Sequence, residues 1–295
     1  MLPVPPAPEA SGPAPTGTLR VGCPMWMHRP WRALVPGTGD WSLAAYGRLC
    51  TAVEGNTTFY ALPTTATVER WAEAAPGTLR FSFKVPREVS HDAGLRGPLP
   101  EMREFLARLA PLRDRLGPHF VQLPASFGPD RLGDLERFLR RLPADLAWSV
   151  EVRHPGYFAE PESSRLDDVL HRTGVERVIL DSTALFSGPC ETPDEIDTWR
   201  RKPHLPVRPA ITGRHALIRF IGQNDPAANV PFWQPWARQA AEWLTSGQDV
   251  TFFAHSPDNV WSPVVAREFH HAVSRLVPDL APLPSPGDAG QARLW

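Results

Sequence analysis

A small number of side chains able to move protons or hold charge fall in one phase of a set of short apolar runs. Glu54 and Asn56 alternate with Val53 and Gly55, Lys84 alternates with Phe83 and Val85, and Glu151 and Arg153 alternate with Val150 and Val152. Residues two apart on an extended strand point to the same face, so each run presents its polar groups together. Gln122, Asp181, Arg219 and His255 stand near the ends of four further runs. Strand ends lead into loops, and any one of these residues taken alone reads as solvated or capping. Together, three acids (Glu54, Glu151, Asp181) and three cations (Lys84, Arg153, Arg219) are more than that reading explains. Burying an unpaired charge costs several kcal/mol, so groups that converge must pair, hold a ligand, or do both.

The chemistry open to this set is acid–base work on an anion. Lys84, Arg153 and Arg219 would neutralise a phosphate or carboxylate, the arginines through forked hydrogen bonds. Glu54 or Glu151 would act as general base, and His154 or His255 would transfer protons near neutral pH. This reading gives a hydrolase-type enzyme on a small or polymeric anionic substrate, with phosphoester hydrolysis as the first reaction class. A glycosidase using the Glu pair, with Trp26 and Trp261 holding the sugar, is the alternative. It needs one carboxyl with a raised pKa, and Arg153 works against that. A barrel that binds a ligand or nucleic acid without chemistry is the third reading, though broad nucleic-acid binding is disfavoured by the charge balance.

Loops after the runs add donors and aromatics. The segment Asn56-Thr57-Thr58-Phe59-Tyr60 follows Glu54, Arg153-His154-Pro155 follows Glu151, and His255-Ser256-Pro257-Asp258-Asn259-Val260-Trp261 closes the last run. Asp258, Asn259, Tyr60, Trp26 and Trp261 are therefore candidate substrate contacts at the rim. Glu54, Glu151, Asp181 and His255 have the composition of a metal set, but the three cations would repel a cation and compete for the carboxylates. No metal or other cofactor is expected.

Eight apolar, β-rich runs must carry these groups: 19–23, 50–56, 79–85, 119–123, 147–153, 176–182, 215–222 and 250–255. Pro24, Pro86, Pro124 and Pro155 close four of them, where a ladder has to stop. Between them, Val68, Trp71, Ala72 and Ala75 recur at helical spacing, as do Met102, Phe105, Leu106, Leu109 and Leu116, then Leu132, Leu135, Phe138, Leu139 and Leu142, then Val264, Val265, Phe269, Val273 and Leu276. The stretch 183–214, with Pro189, Pro193, Pro203, Pro206 and Pro209, reads as a long loop with at most one short helix. Eight strands alternating with helices predict an α/β chain forming a single TIM-like (β/α)8 barrel with parallel strands. The first strand runs into Val21-Gly22-Cys23-Pro24-Met25, which lacks the glycine-rich turn of a doubly wound sheet. In a barrel the site lies at the carboxyl ends of the strands.

Length and charge agree with one such domain. The chain has 295 residues, 42% hydrophobic and 21% charged, with a net charge of −1, so neither wholesale disorder nor a global basic field is implied. Residues 18–276 are assigned to the barrel, with Pro-rich tails at 1–17 and 277–295 expected to be poorly ordered. Three separated cysteines imply no disulfide framework. The first residues lack the pattern of a signal peptide, and no run is long enough to span a bilayer, so the expected location is cytoplasmic.

The run Glu54-Gly55-Asn56-Thr57-Thr58-Phe59-Tyr60, with Trp71, Phe81-Ser82-Phe83-Lys84-Val85-Pro86, His91, Gln122-Leu123-Pro124 and Glu151-Val152-Arg153-His154-Pro155, resembles the YecE-like family (domain of unknown function 72). The resemblance spans about residues 18–276. It implies a TIM-barrel-like fold and no settled activity. It also implies that Glu54, Asn56, Lys84, His91, Gln122, Glu151, Arg153, His154, Asp181 and Arg219 are the family's recurring polar positions, which adds His91 to the candidate substrate contacts. The chain departs from the family at Met25 before Trp26, where a glycine is usual. Arg219-Phe220-Ile221-Gly222 and His255-Ser256-Pro257-Asp258-Asn259 also stand where many members carry a His motif and a paired-Asn motif.

Overall fold

Parallel strands and the helices that cover them account for most of the computed structural model, which describes residues 17–35, 41–97 and 99–286. The strands are β1 (Leu19–Cys23), β2 (Ala52–Gly55), β3 (Arg80–Phe83), β4 (His119–Gln122), β5 (Trp148–Glu151), β6 (Glu176–Arg177), β7 (Ile179–Asp181), β8 (His215–Ile221) and β9 (Asp249–His255). One ladder runs β3-β2-β1-β9-β8-β7 and a second runs β4-β5-β6. Two joints make them a ring. β6 and β7 are halves of one strand interrupted at Val178, whose N–H bonds the Val150 carbonyl of β5 at 2.9 Å, while Ile179 pairs with Ile218 of β8. At the other joint, β3 meets β4 through single parallel bridges, Phe81 with Leu116 and Lys84 with Phe120. There the Phe83 N–H bonds the Nδ1 of His119 at 3.2 Å, an imidazole in the place of a ladder carbonyl. The result is the expected eight-stranded parallel barrel.

Alternation sets what fills it. Ala52, Phe120, Leu217 and Phe253 form a small inner apolar cluster with Val178. Each of the four lies two residues before a polar group at the strand exit: Glu54, Gln122, Arg219 and His255. Ser82 and Ser149 stand likewise two before Lys84 and Glu151, and all six lower residues are buried. The interior is therefore a layer of apolar residues and two serines, capped by a charged and polar one. The opposite phase, with Val53, Phe81, Phe83, Val121, Val150, Ile218 and Phe252, packs outward into the main core against the helices.

Those helices are α1 (Leu43–Tyr46), α2 (Thr65–Ala74), α3 (Pro100–Leu109), α4 (Leu132–Leu139), α5 (Glu162–Thr173), α6 (Thr183–Ser187), α7 (Pro193–Arg201), α8 (Pro226–Thr245) and α9 (Ser262–Ser274). The region expected to be a loop with at most one short helix thus carries both α6 and α7. α7 begins with a reciprocal capping box between Thr192 and Glu195 and Pro193 in its first turn, a start signal strong enough to nucleate a helix among prolines. The expected C-terminal tail also differs in its first ten residues. Val277 is buried, Leu280 and Leu283 pack on the core, and His270 of α9 lies 3.1 Å from the Ala281 carbonyl. Residues 1–16 and 287–295, the rest of the expected tails, lie outside the described residues. None of the described helices is long and apolar enough to cross a membrane.

Candidate active site

Arg219 is the hub of the barrel mouth. It leaves β8 and bonds Glu54 of β2 through both forks, Nε to Oε2 at 2.8 Å and Nη2 to Oε1 at 2.7 Å, while Nη1 bonds Glu151 of β5. Its guanidinium lies 4.9 Å above the Phe120 ring of the layer below. Arg153 continues the network, with Nε on Glu151 Oε1 and Nη2 on Gln122 Oε1, each at 2.8 Å. Asn56 donates to Glu54 Oε1 at 2.6 Å and to the Pro24 carbonyl at 3.1 Å. His255 Nε2 lies 3.2 Å from Glu54 Oε2. Both carboxylates and Arg219 are almost wholly out of water. Such a set is tolerable only because the partners saturate one another.

Burial alone would raise Glu54, but the charge of Arg219, then His255, overrides it and holds the carboxyl well below its ordinary range. Burial would likewise raise Glu151, yet Arg219 and Arg153 bring it down to about 2. Burial opposes the charge on Arg219, and the two carboxylates more than restore it. His255 falls to about 4, because desolvation outweighs the pull of Glu54. It is therefore neutral at pH 7.

Above this floor opens a cavity of about 510 Å³. Its wall contains six cations, Lys84, Arg87, Arg153, Arg201, Lys202 and Arg219, and no carboxylate. Arg87 and Arg201 sit on the exposed rim, paired with Asp92 and Asp197. Lys84 is different. It is 7% exposed, and its ammonium stands 3.5 Å from the centre of the Phe59 ring, with no carboxylate in ion-pair reach among the described residues. Burial, with Arg219 and Arg153 adding to it against Glu151, lowers it to about 7. Lys202, half-buried just past α7, falls to about 8 for the same first reason.

Of the residues singled out from sequence, Asn56, Tyr60, Lys84, His91, Gln122, Arg153, Arg219, His255 and Asn259 line this cavity, and Glu54 and Glu151 lie directly under it. His91 faces the Phe59 ring edge-on at 5.0 Å, and burial with Lys84 and Arg87 nearby takes it to about 4. Five others are elsewhere. Asp181 accepts from the Trp236 indole at 2.7 Å and the Thr183 N–H at 2.9 Å, holding β7 to α8 and α6. His154 Nδ1 caps the turn after β5 by accepting from the Gly156 N–H at 3.0 Å. Asp258 accepts from the Val260 N–H at 2.9 Å. Trp26 packs edge-on against Trp71 at 5.0 Å, and Trp261 is the residue before α9. With Asp181 turned away, the sequence-derived Glu/Glu/Asp/His set is not assembled, and no cluster of three or more His, Cys, Asp or Glu able to hold a metal occurs among the described residues. Phe59, Arg87, Thr198, Arg201 and Lys202 also line the wall, without having been singled out as candidates. The Thr192-to-Glu195 capping box was the signal that would have placed a helix, and with it Thr198, Arg201 and Lys202, over the mouth.

Residues 20–288 match the sequence profile of the family described as "Protein of unknown function DUF72". The chain belongs to that family. It is 38% identical over 268 residues to UPF0759 protein YecE of Escherichia coli (strain K12), covering 90% of this chain and 97% of that protein. Among solved structures, it superposes on a DUF72 family protein of Enterococcus faecalis V583 with a TM-score of 0.67 at 17% identity, over 92% of this chain and all of that one. It matches a DUF72 family protein of Thermotoga maritima MSB8 with the same TM-score at 21% identity, over 87% and 99% of the two chains. Both likenesses concern the fold.

Proposed function

We propose that this DUF72 protein is an enzyme acting on a small phosphate-bearing substrate held over the Arg219 floor. One observation carries the reading: a cavity of about 510 Å³ whose wall holds six cations and no carboxylate. Glu54 and Glu151 have spent their charge on Arg219 and Arg153, leaving the amino groups of Lys84 and Lys202 facing the cavity with no counter-ion among the described residues. An anion with several acceptor oxygens supplies what that wall lacks. A volume of about 510 Å³ suits a small molecule better than a nucleic-acid strand.

In phosphoester hydrolysis, the first reaction to test, the carboxylates would be poor bases because both are held far below neutrality. Lys84 is better matched: its neutral amine would take the proton of the attacking water, and the Lys202 ammonium would protonate the departing oxygen. The same depression counts against a glycosidase, which needs a carboxyl raised into the neutral range. The test is titration of inorganic phosphate by calorimetry, followed by a panel of nitrophenyl phosphates. Binding that weakens about tenfold or more in Lys84→Met, the loss of a charged hydrogen bond, supports the reading. Phosphate affinity absent from the wild type, or unchanged by the substitution, overturns it.

A further inference from the structure

The chain contains 31 basic residues, of which 29 are arginine and only two, Lys84 and Lys202, are lysine. Both lysines line the one cavity at the barrel mouth, where six of the basic residues lie. Two lysines dealt at random among the basic positions would both land there only about once in thirty trials. Everywhere else, on exposed helices and in buried ion pairs alike, this chain uses arginine as its cation. A guanidinium does not give up its proton in a protein, whereas an ammonium does so once desolvated, exposing a nitrogen lone pair. Lysine is thus present where a reactive amine has a use and absent where only a charge is needed. The surroundings of Lys84 fit that use: it is buried, faces the Phe59 ring, has no ion pair among the described residues, and opens onto a cavity bearing Arg153 and Arg219.

We propose that Lys84 is a nucleophile that forms an imine with an aldehyde or ketone carrying a phosphate group, Lys202 supplying the proton for water to leave. The proposal rests on the anion-binding part of the function proposed above and not on hydrolysis. The Lys84 nitrogen bonds to the carbonyl carbon as the carbonyl π pair moves to oxygen, and proton transfer gives a neutral carbinolamine. Lys202 protonates its hydroxyl, the C–O bond breaks to release water, and the nitrogen lone pair closes the C=N bond. One carbonyl and one amine give one imine and one water once Lys202 has regained its proton. Nothing is oxidised or reduced.

The probe is pyridoxal 5′-phosphate, a phosphate-bearing aldehyde, added to the full-length protein and fixed with borohydride before peptide mass spectrometry. The expected result is a single reduced adduct on Lys84, slowed by inorganic phosphate and lost in Lys84→Arg. Pyridoxal, which lacks the phosphate, should label about tenfold more slowly, the worth of one charge-assisted contact. Lys202→Met should keep the adduct on Lys84 but slow its formation. An adduct on Lys202 or the chain terminus instead of Lys84, or equal labelling by pyridoxal, overturns the proposal. Phosphate binding by calorimetry with no adduct overturns the imine and leaves the anion site standing; neither binding nor adduct removes both.

Discussion

Buried charge occurs on opposite faces of this barrel wall, and the two places treat it differently. Outside, Arg177 of β6 is 2% exposed and fully engaged: it bonds the Tyr157 carbonyl at 2.8 Å, Asp167 at 3.0 Å and Ser163 at 3.3 Å, and Asp167 also binds Arg208. Its neighbour Glu176, in the opposite phase at the foot of the strand, is saturated too, accepting from the His215 and Thr212 N–H groups at 2.9 and 3.1 Å. At the mouth, Arg219 is satisfied in the same way, but Lys84, also buried, meets the face of an aromatic ring and no carboxylate in ion-pair reach among the described residues. Saturated charges hold elements together. An unsaturated one costs stability and keeps its valence free for something that is not part of the chain.

The widest test of that contrast is Arg219→Leu. It strands two buried carboxylates and should lose about 3–5 kcal/mol, the usual cost of breaking a buried pair, read as a fall in the urea midpoint. Lys84→Met should move the other way, gaining up to about 4 kcal/mol at pH 7 as phosphate affinity falls about tenfold or more, since each unit of depression from 10.5 to about 7 is 1.36 kcal/mol. The sign follows from linkage. Lys84 titrates near 7 when folded and 10.5 when unfolded, so its cost is complete below pH 7 and shrinks steadily as pH rises toward 10.5. The gain from Lys84→Met should therefore fade over that interval in denaturation series at pH 6, 8 and 10. Asp167→Asn loosens the saturated outer network and should lose about 1–3 kcal/mol, with phosphate affinity unchanged by calorimetry. Tyr60→Ala, at a side chain 74% exposed on the rim, should leave stability within about 0.5 kcal/mol while weakening binding of larger phosphate esters.

The barrel and the floor of its mouth were legible in the sequence because alternation is a local property. Glu54, Lys84, Glu151 and Arg219 each declare their face through their apolar neighbours, and parallel pairing then brings those faces together. Asp181 shows the limit. Val178 faces the barrel interior, so three residues on Asp181 points outward to Trp236; proximity to a strand end was no substitute for phase. His154 lies beyond its strand, where alternation has ceased and a turn decides direction. Lys202 was hidden by five prolines that read as loop, although the cap at Thr192 outweighed them.

The joint between β3 and β4 gives the barrel a weak line under acid. Its Phe83 amide relies on a ring nitrogen of His119, and burial keeps that ring neutral down to about pH 4. Once protonated, Nδ1 can no longer accept. The unfolded chain takes up the same proton near 6.5, so acidification favours parting of the staves from there downward and severs this stitch near 4. Lys84 bridges to Phe120 on the same line, so the reactive amine and the acid-sensitive seam share one length of backbone.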